Sequence, residues 1–317
     1  MSTTYCPYCN SAQSLLMGNI YCSHQSDNID KFENGVMFIN SKKLEETDDH
    51  ISRLSIRCIN GGEQYYKVGA NEHRVTPENY LVINKGQHYK TSFEGFGNTE
   101  MMLMAFKPGF VEEILYSVMT AEDKLLDDPF NTVHQPIYFF EKTYESDSYI
   151  SNTFKWLRQL MKEDLGWKKT VDLDSVYSGT LIRLLQIHRR IYSEINKIDS
   201  VKFSTRKELY RRLTIGKEYL DTNLHRKISV EEVSRIACLS PHHFKRTFKK
   251  LFGDTPHNFH VKKRLEYSRQ LIEAGGMNVS EICQLIGFED ASSFIRLFKD
   301  NYGCTPGNWG VRIHKTF

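Results

Sequence analysis

The sequence predicts an α+β protein in two parts: a β-barrel or sandwich followed by helices, then an all-α domain in which one helical pattern occurs twice. Three observations carry that prediction. The first is size, because 317 residues is about twice the usual single domain. The second is patterning: short extended runs punctuated by glycine and proline occupy residues 33–107, and apolar residues three and four apart dominate after Pro108. The third is charge. Residues 206–317 hold 20 Lys+Arg and 12 Asp+Glu, a net +8, whereas residues 1–205 carry −5 within an overall +3. A basic third on an otherwise acidic chain points to a polyanion-binding module attached to something that is not one.

Residues 1–32 form an N-terminal segment without the charged-then-apolar profile of a signal peptide, and the chain has no run of about 18 apolar residues, so a soluble cytoplasmic protein with no membrane partner is expected. This segment holds Cys6, Cys9, Cys22 and His24, a spacing compatible with zinc or with a redox pair. Seven scattered cysteines, an odd number, read more simply as reduced thiols, so no metal and no cofactor are expected.

In residues 33–107 the runs LSIRCI, GGEQYYKV, YLVIN, KGQHYKTSF and MMLMAF alternate with turns at Gly61-Gly62, Thr76-Pro77 and Lys85-Gly86, the signature of an antiparallel sandwich or barrel. If it encloses a cavity, Tyr65, Tyr66, Tyr80, Tyr89 and Phe93 are candidate lining residues, with His73 and His88 as polar candidates. A lone histidine in such a fold is more often a hydrogen-bonded polar residue than a metal ligand. Residues 108–196 are helical. In the last of these helices Tyr177, Leu181, Leu184, His188, Ile191 and Ile195 fall on one stripe, which reads as core or as the seam of a homodimer. Residues 197–208, polar and short of large aliphatics, are predicted to be a linker.

The pattern that recurs lies in residues 209–317. LSPHHFKRTFKKLFGDTP and GFEDASSFIRLFKDNYGCTP agree in their apolar positions and differ in most exposed ones. Ahead of the first, Ser229 offers an N-cap to a short helix with Val230, Val233, Ile236 and Ala237 on one face. Ser240-Pro241 then opens a second helix, Phe244, Phe248, Leu251 and Phe252 face inward, and Gly253 followed by Thr255-Pro256 stops it. Two short helices across a tight turn, the second with a basic outer face, make a helix-turn-helix. In the second copy Val279, Ile282, Leu285 and Ile286 build the first helix, and Phe294, Leu297, Phe298 and Tyr302 the buried side of the second. Residues 257–274 form one uninterrupted helical pattern between the copies, about 27 Å long at 1.5 Å per residue, comparable with the ~34 Å repeat of DNA. Two recognition helices on such a strut can enter successive major grooves of double-stranded DNA. Their unlike exposed faces imply an asymmetric site.

Over residues 211–312 the sequence resembles the AraC/XylS family of bacterial transcription regulators. The resemblance rests on F-x3-F-x4-G-x-T-P in the first copy and on ICQLIGFEDASSFIRLFKDNYGCTP in the second. It implies base contacts from His242, Lys245 and Arg246 in the first copy and from Ala291, Ser292, Ser293 and Arg296 in the second. The small residues of the second copy imply weaker direct readout there. Side-chain chemistry makes Lys249, Lys262, Lys263 and Lys299 the candidate phosphate contacts. The resemblance further implies a cupin-like effector-sensing β domain, a helical dimerisation region, an unknown small-molecule effector, contact with RNA polymerase, and activation rather than catalysis. Two alternatives remain open at this level. One is an effector-independent regulator controlled by abundance or a protein partner; the other is a zinc-thiolate DNA-repair methyl acceptor, which needs four thiolates where the N-terminal segment has three.

Overall fold

The computed structural model describes residues 14–17, 34–41, 49–94, 99–119, 137–162, 172–200 and 202–314. The chain divides into two compact units, residues 1–193 and 194–317.

The first unit is a two-sheet sandwich with helices. Its strands are β1 (Ser14–Met17), β2 (Gly35–Ser41), β3 (His50–Ile51), β4 (Ser55–Asn60), β5 (Glu63–Val68), β6 (Asn71–Val75), β7 (Asn79–Ile83), β8 (His88–Glu94), β9 (Thr99–Ala105) and β10 (Thr143–Glu145). They form one sheet in the order β1-β2-β9-β4-β7-β10 and another in the order β3-β8-β5-β6. Every pairing among them is antiparallel, and the described strands make two sheets rather than a closed barrel. Ile59, Tyr66, Val68, Val75, Leu81, Ile83 and Tyr89 pack together as the core between the sheets. Side chains alternate along a strand, so Cys58 and Tyr80, neighbours of Ile59 and Leu81, face the opposite side of the larger sheet. Tyr80 stacks there on Tyr144, with ring centroids 5.4 Å apart.

The helices of this unit are α1 (Phe110–Met119), α2 (Ser148–Lys162) and α3 (Leu173–Asn196). On α3, Tyr177 meets Phe106 edge-on at 5.9 Å, and His188 packs against Phe139 at 5.1 Å. Leu181, Leu184, Ile191 and Ile195 are buried and His188 is half-buried. Of the two readings of this stripe, core packing describes Leu181, Leu184, Ile191 and Ile195 among the described residues.

The aromatic positions proposed to line a cavity separate in the same way. Tyr66 and Tyr89 belong to the packed core, Tyr80 is fully buried on the other side of its sheet, and Tyr65 is half-buried. Phe93 lies on β8 opposite Gln64. His73 is buried beside Glu141, which also accepts from Asn71 (2.7 Å) and Gln87 (2.8 Å). Burial alone would raise the Glu141 pKa, but the hydrogen bonds from His73, Asn71 and Gln87 hold it below the usual value. His73 is thus a satisfied polar residue that fastens the segment before β10 to the sandwich. His88 is exposed and paired with Asp49 at 2.6 Å, so it faces solvent and not an interior. A groove of about 350 Å³ does exist, but it is lined by Cys58, Met102, Phe154, Lys155 and Arg158 among others, and by none of the seven predicted residues. Cys6, Cys9, Cys22 and His24 lie outside the described residues.

The second unit is all helical: α4 (Phe203–Thr222), α5 (Val230–Ile236), α6 (Pro241–Phe252), α7 (Pro256–Ala274), α8 (Val279–Leu285), α9 (Ala291–Tyr302) and α10 (Pro306–His314). The expected linker at 197–208 is half helix, because α4 starts at Phe203. Its lack of large aliphatics did not prevent a helix whose buried side begins further on, at Leu209, Tyr210 and Leu213. The segment before α4 is also tied down: Ile198 is buried, Arg206 donates to the Ser200 carbonyl at 2.7 Å, and the Tyr210 hydroxyl bonds Glu194 at 3.2 Å. No helix among the described residues is long and apolar enough to cross a membrane.

Candidate nucleic-acid interface

The repeat read from sequence is a repeat of structure, offset by 49 residues from α5 to α8 and by 50 from α6 to α9. The caps show why each helix starts where it does. The Ser229 hydroxyl accepts from the Glu232 N–H, Ser240 from His243, and Thr255 from Asn258, each satisfying a backbone donor that a helix start leaves orphaned. In the second copy Asn278 and Glu281 cap each other reciprocally, while Asp290 accepts from the N–H groups of both Ser292 and Ser293. Gly253 (φ 83°) and Gly303 (φ 77°) end α6 and α9 in the left-handed conformation.

The inward faces are aromatic. Phe244 and Phe248 are fully buried in the first copy, and Phe294 and Phe298 in the second. Both pairs continue into ring contacts, Phe248 with Phe252 at 4.7 Å and Phe298 with Tyr302 at 4.6 Å. Rings at successive turns fix the roll of each helix, and that roll decides which residues face out. Two positions depart from the expected pattern: Ile236 and Leu285, read as inward, are 43% and 37% exposed. They are equivalent residues at the last turn of α5 and α8, and the buried face there is completed by the next residues, Ala237 and Ile286, instead.

On α6 the outward residues are His242, Lys245, Arg246 and Lys249, all exposed. On α9 they are Ala291, Ser292, Arg296 and Lys299, with Ser293 half-buried. Among the described residues, none of Lys245, Arg246, Lys249, Arg296 and Lys299 makes an ion pair, so the cationic heads are free to meet an anionic partner. The two lysines on the strut differ from these. Lys262 is bonded to Asp254 at 2.7 Å and Lys263 to Glu266 at 2.8 Å, so a phosphate would have to compete for either.

The strut α7 packs on the second copy through Leu265, Leu271 and Ile272, in a cluster that includes Ile282, Ile286, Phe294 and Phe298, and meets the first copy where Phe259 packs on Phe248 at 5.7 Å. Its 19 residues span about 28 Å at 1.5 Å each. Three features of this joint were not singled out from sequence. His260 is buried and its Nε2 donates to the Asn223 carbonyl at 3.1 Å; burial pushes its pKa down to about 4. Arg264 is buried and donates to the Ile286 carbonyl at 2.7 Å. Asp290 is the third, its carboxyl held below the usual range by hydrogen bonds from Ser293 and Ser292. His260 and Arg264, polar residues inside a helical pattern, read as solvated and only long-range contacts reveal them as structural, whereas Asp290 carries the local signal of an N-cap.

Comparison with known proteins agrees with this geometry. Residues 233–312 match a helix-turn-helix domain family model. The chain is 36% identical over 133 residues to the probable transcriptional regulator LumQ of Photobacterium leiognathi, covering 42% of this chain and 51% of that one. It is 32% identical over 92 residues to the bifunctional transcriptional activator/DNA repair enzyme AdaA of Bacillus subtilis, covering 29% and 44%. The chain thus spans about half or less of the length of these curated relatives. Among solved structures, unsaturated fatty acid bound wild-type ToxT from Vibrio cholerae superposes with a TM-score of 0.34 at 13% identity, covering 87% of this chain and 94% of that one. Two capped helix pairs, each with an aromatic inner and a basic outer face, joined by one buried-sided helix and matching the family model over residues 233–312, make the C-terminal unit a helix-turn-helix domain similar to those of AraC-type transcription regulators.

Proposed function

We propose that the protein is a sequence-specific transcription regulator, an effector-responsive activator that reads two successive major grooves with α6 and α9. The observation that carries this reading is the pair of exposed, unpaired cationic faces on helices tied to one strut. Arg246, with Lys245 beside it, bonds guanine O6 and N7; His242, Ser292, Ser293 and Arg296 complete the base contacts; Lys249 and Lys299 meet phosphates. Lys262 and Lys263 join them only by exchanging their present carboxylates for phosphate.

The partners follow from the same reading: double-stranded DNA, RNA polymerase for an activator, and a small molecule in the first unit, where the groove beside α2 offers room of the size ligands occupy. A homodimer, in this reading, uses a surface other than the stripe of α3. The protein performs no catalysis, and its sites in this reading hold no metal.

Selection of bound DNA from a random pool tests the proposal. Enrichment of a site with two blocks about one helical turn apart supports it; recovery of no preferred sequence removes it. A thermal-shift screen of metabolites tests effector response, since a ligand that binds the folded state raises the transition temperature by mass action.

A further inference from the structure

The turn of the second helix-turn-helix is clamped from two sides. Arg264, on the strut, is 4% exposed; its Nε donates to the Ile286 carbonyl at 2.7 Å and its guanidinium lies 4.0 Å over the ring of Phe288. Its Nη2 is buried with no hydrogen-bond partner among the described residues. Burial lowers its pKa. A cation kept out of water and incompletely bonded is a poor source of stability, and an apolar residue of similar volume would often serve as well or better.

On the other side, Gly287 lies against the loop that follows α4. A Cβ at this position would come within 2.3 Å of the His225 carbonyl oxygen and 2.7 Å of the Arg226 Cα. Backbone conformation alone does not demand glycine here. The equivalent residue of the first copy, Cys238, carries a side chain at φ 51°, close to the 68° of Gly287. Glycine is therefore required by the close approach of two backbones. The loop it touches is itself fixed: Arg226 is bonded to Glu232 and Tyr219, and His260 of the strut holds the Asn223 carbonyl. The turn 286–288 is thus seated on the strut by Arg264 and on the first copy's entry loop by Gly287.

We infer that Arg264 and Gly287 are positioning residues that set the angle and spacing between the two recognition helices. Linked modules gain affinity from each other only when their geometry matches the spacing of their targets, and a loosened joint forfeits that gain without altering either module's own contacts. This inference rests on the proposed function, since it concerns how two reading heads are held.

The test uses the full chain and a DNA site selected by the wild-type protein, compared with the same site carrying a scrambled second block and with versions in which one or two base pairs are inserted between blocks. The wild type is expected to bind the intact site at least about tenfold more tightly than the scrambled or inserted ones. Arg264→Met should bring all these affinities within about threefold of one another, with single-block affinity within about twofold of wild type and a melting temperature within about 4 °C. Gly287→Ala should abolish the spacing preference too by displacing the turn, with a larger fall in melting temperature, and it decides the question if Arg264→Met does not fold. Retention by a folded variant of the wild-type preference for spacing would overturn the inference. Failure of the wild type to select any DNA would overturn the proposed function instead, a result separable from the first.

Discussion

Arg246 is the residue whose loss should be felt most in sequence reading. It is exposed and makes no ion pair among the described residues, so Arg246→Ala should leave stability unchanged and cost about 1–3 kcal/mol of binding to the preferred site, measured by titration against matched and mismatched DNA. Lys249 and Lys299 occupy equivalent places and should behave differently: each alanine variant should lower affinity for all sequences alike and reduce the slope of log K against log salt by about one. Asp290 adds an asymmetry that a list of cations conceals. It caps α9 with a carboxylate where Ser240 caps α6 with a hydroxyl, so the start of the second recognition helix carries a negative charge and its first N–H groups are already taken. Asp290→Asn keeps a capping side chain and removes the charge. Affinity for DNA at low salt should rise a few-fold, an effect that fades as salt is added. His260 sets a pH limit. Its pKa is near 4 in the folded protein and about 6.5 in the unfolded chain, so above pH 6.5 it is neutral in both states and contributes no pH dependence. As pH falls from 6.5 towards 4 the unfolded chain binds the proton first, and about 3 kcal/mol of stability is lost from the C-terminal unit. Urea titrations across that range should show the loss, and His260→Gln should flatten it.

At the scale of elements, the helices of the second unit were legible because each signal is local. Ser229, Ser240-Pro241 and Thr255-Pro256 open helices, Gly253 and Gly303 close them, and aromatic residues at turn spacing mark the buried side. The two helix-ending glycines also supply a clean contrast. A Cβ at Gly253 or Gly303 meets no atom within 4 Å, so alanine there should cost only the left-handed backbone penalty, about 1–2 kcal/mol in thermal or urea unfolding, and leave spacing preference intact. The strands were less legible. β6 reads NEHRV, polar in its first four residues, yet His73 and Arg74 are buried because Glu141 and Glu63 answer them across the chain. β10 is three residues long and is recognisable as a strand by its pairing with β7. The α3 stripe was found, but whether it served the core or a second copy was left open, because periodicity shows that a face is buried and is silent on what buries it.

For the whole molecule, the compact second unit begins at Glu194 rather than at the predicted 209. The buried Ile198 and the Tyr210–Glu194 hydrogen bond belong to it. A fragment starting at residue 194 should therefore be more stable than one starting at 209 by about 2–3 kcal/mol, the contribution of burying one isoleucine, with the hydrogen bond adding to it. Guanidinium titration of the two fragments measures the difference; equal midpoints would show the segment to be dispensable. Charge is segregated at this scale as well, and the basic excess lies in the unit that carries the two recognition helices. Long-range attraction then brings that unit to a nucleic acid before any base is read, at a rate that should fall with ionic strength.

The unequal caps of α6 and α9 reach beyond the molecule to the genome it would survey. One head carries bulky donors behind a neutral hydroxyl cap, and the other offers small hydroxyls behind a fixed anion. Aligned control regions should therefore share one crisp motif accompanied, a turn away, by a stretch free to drift, and new targets could arise by mutation in the first block alone.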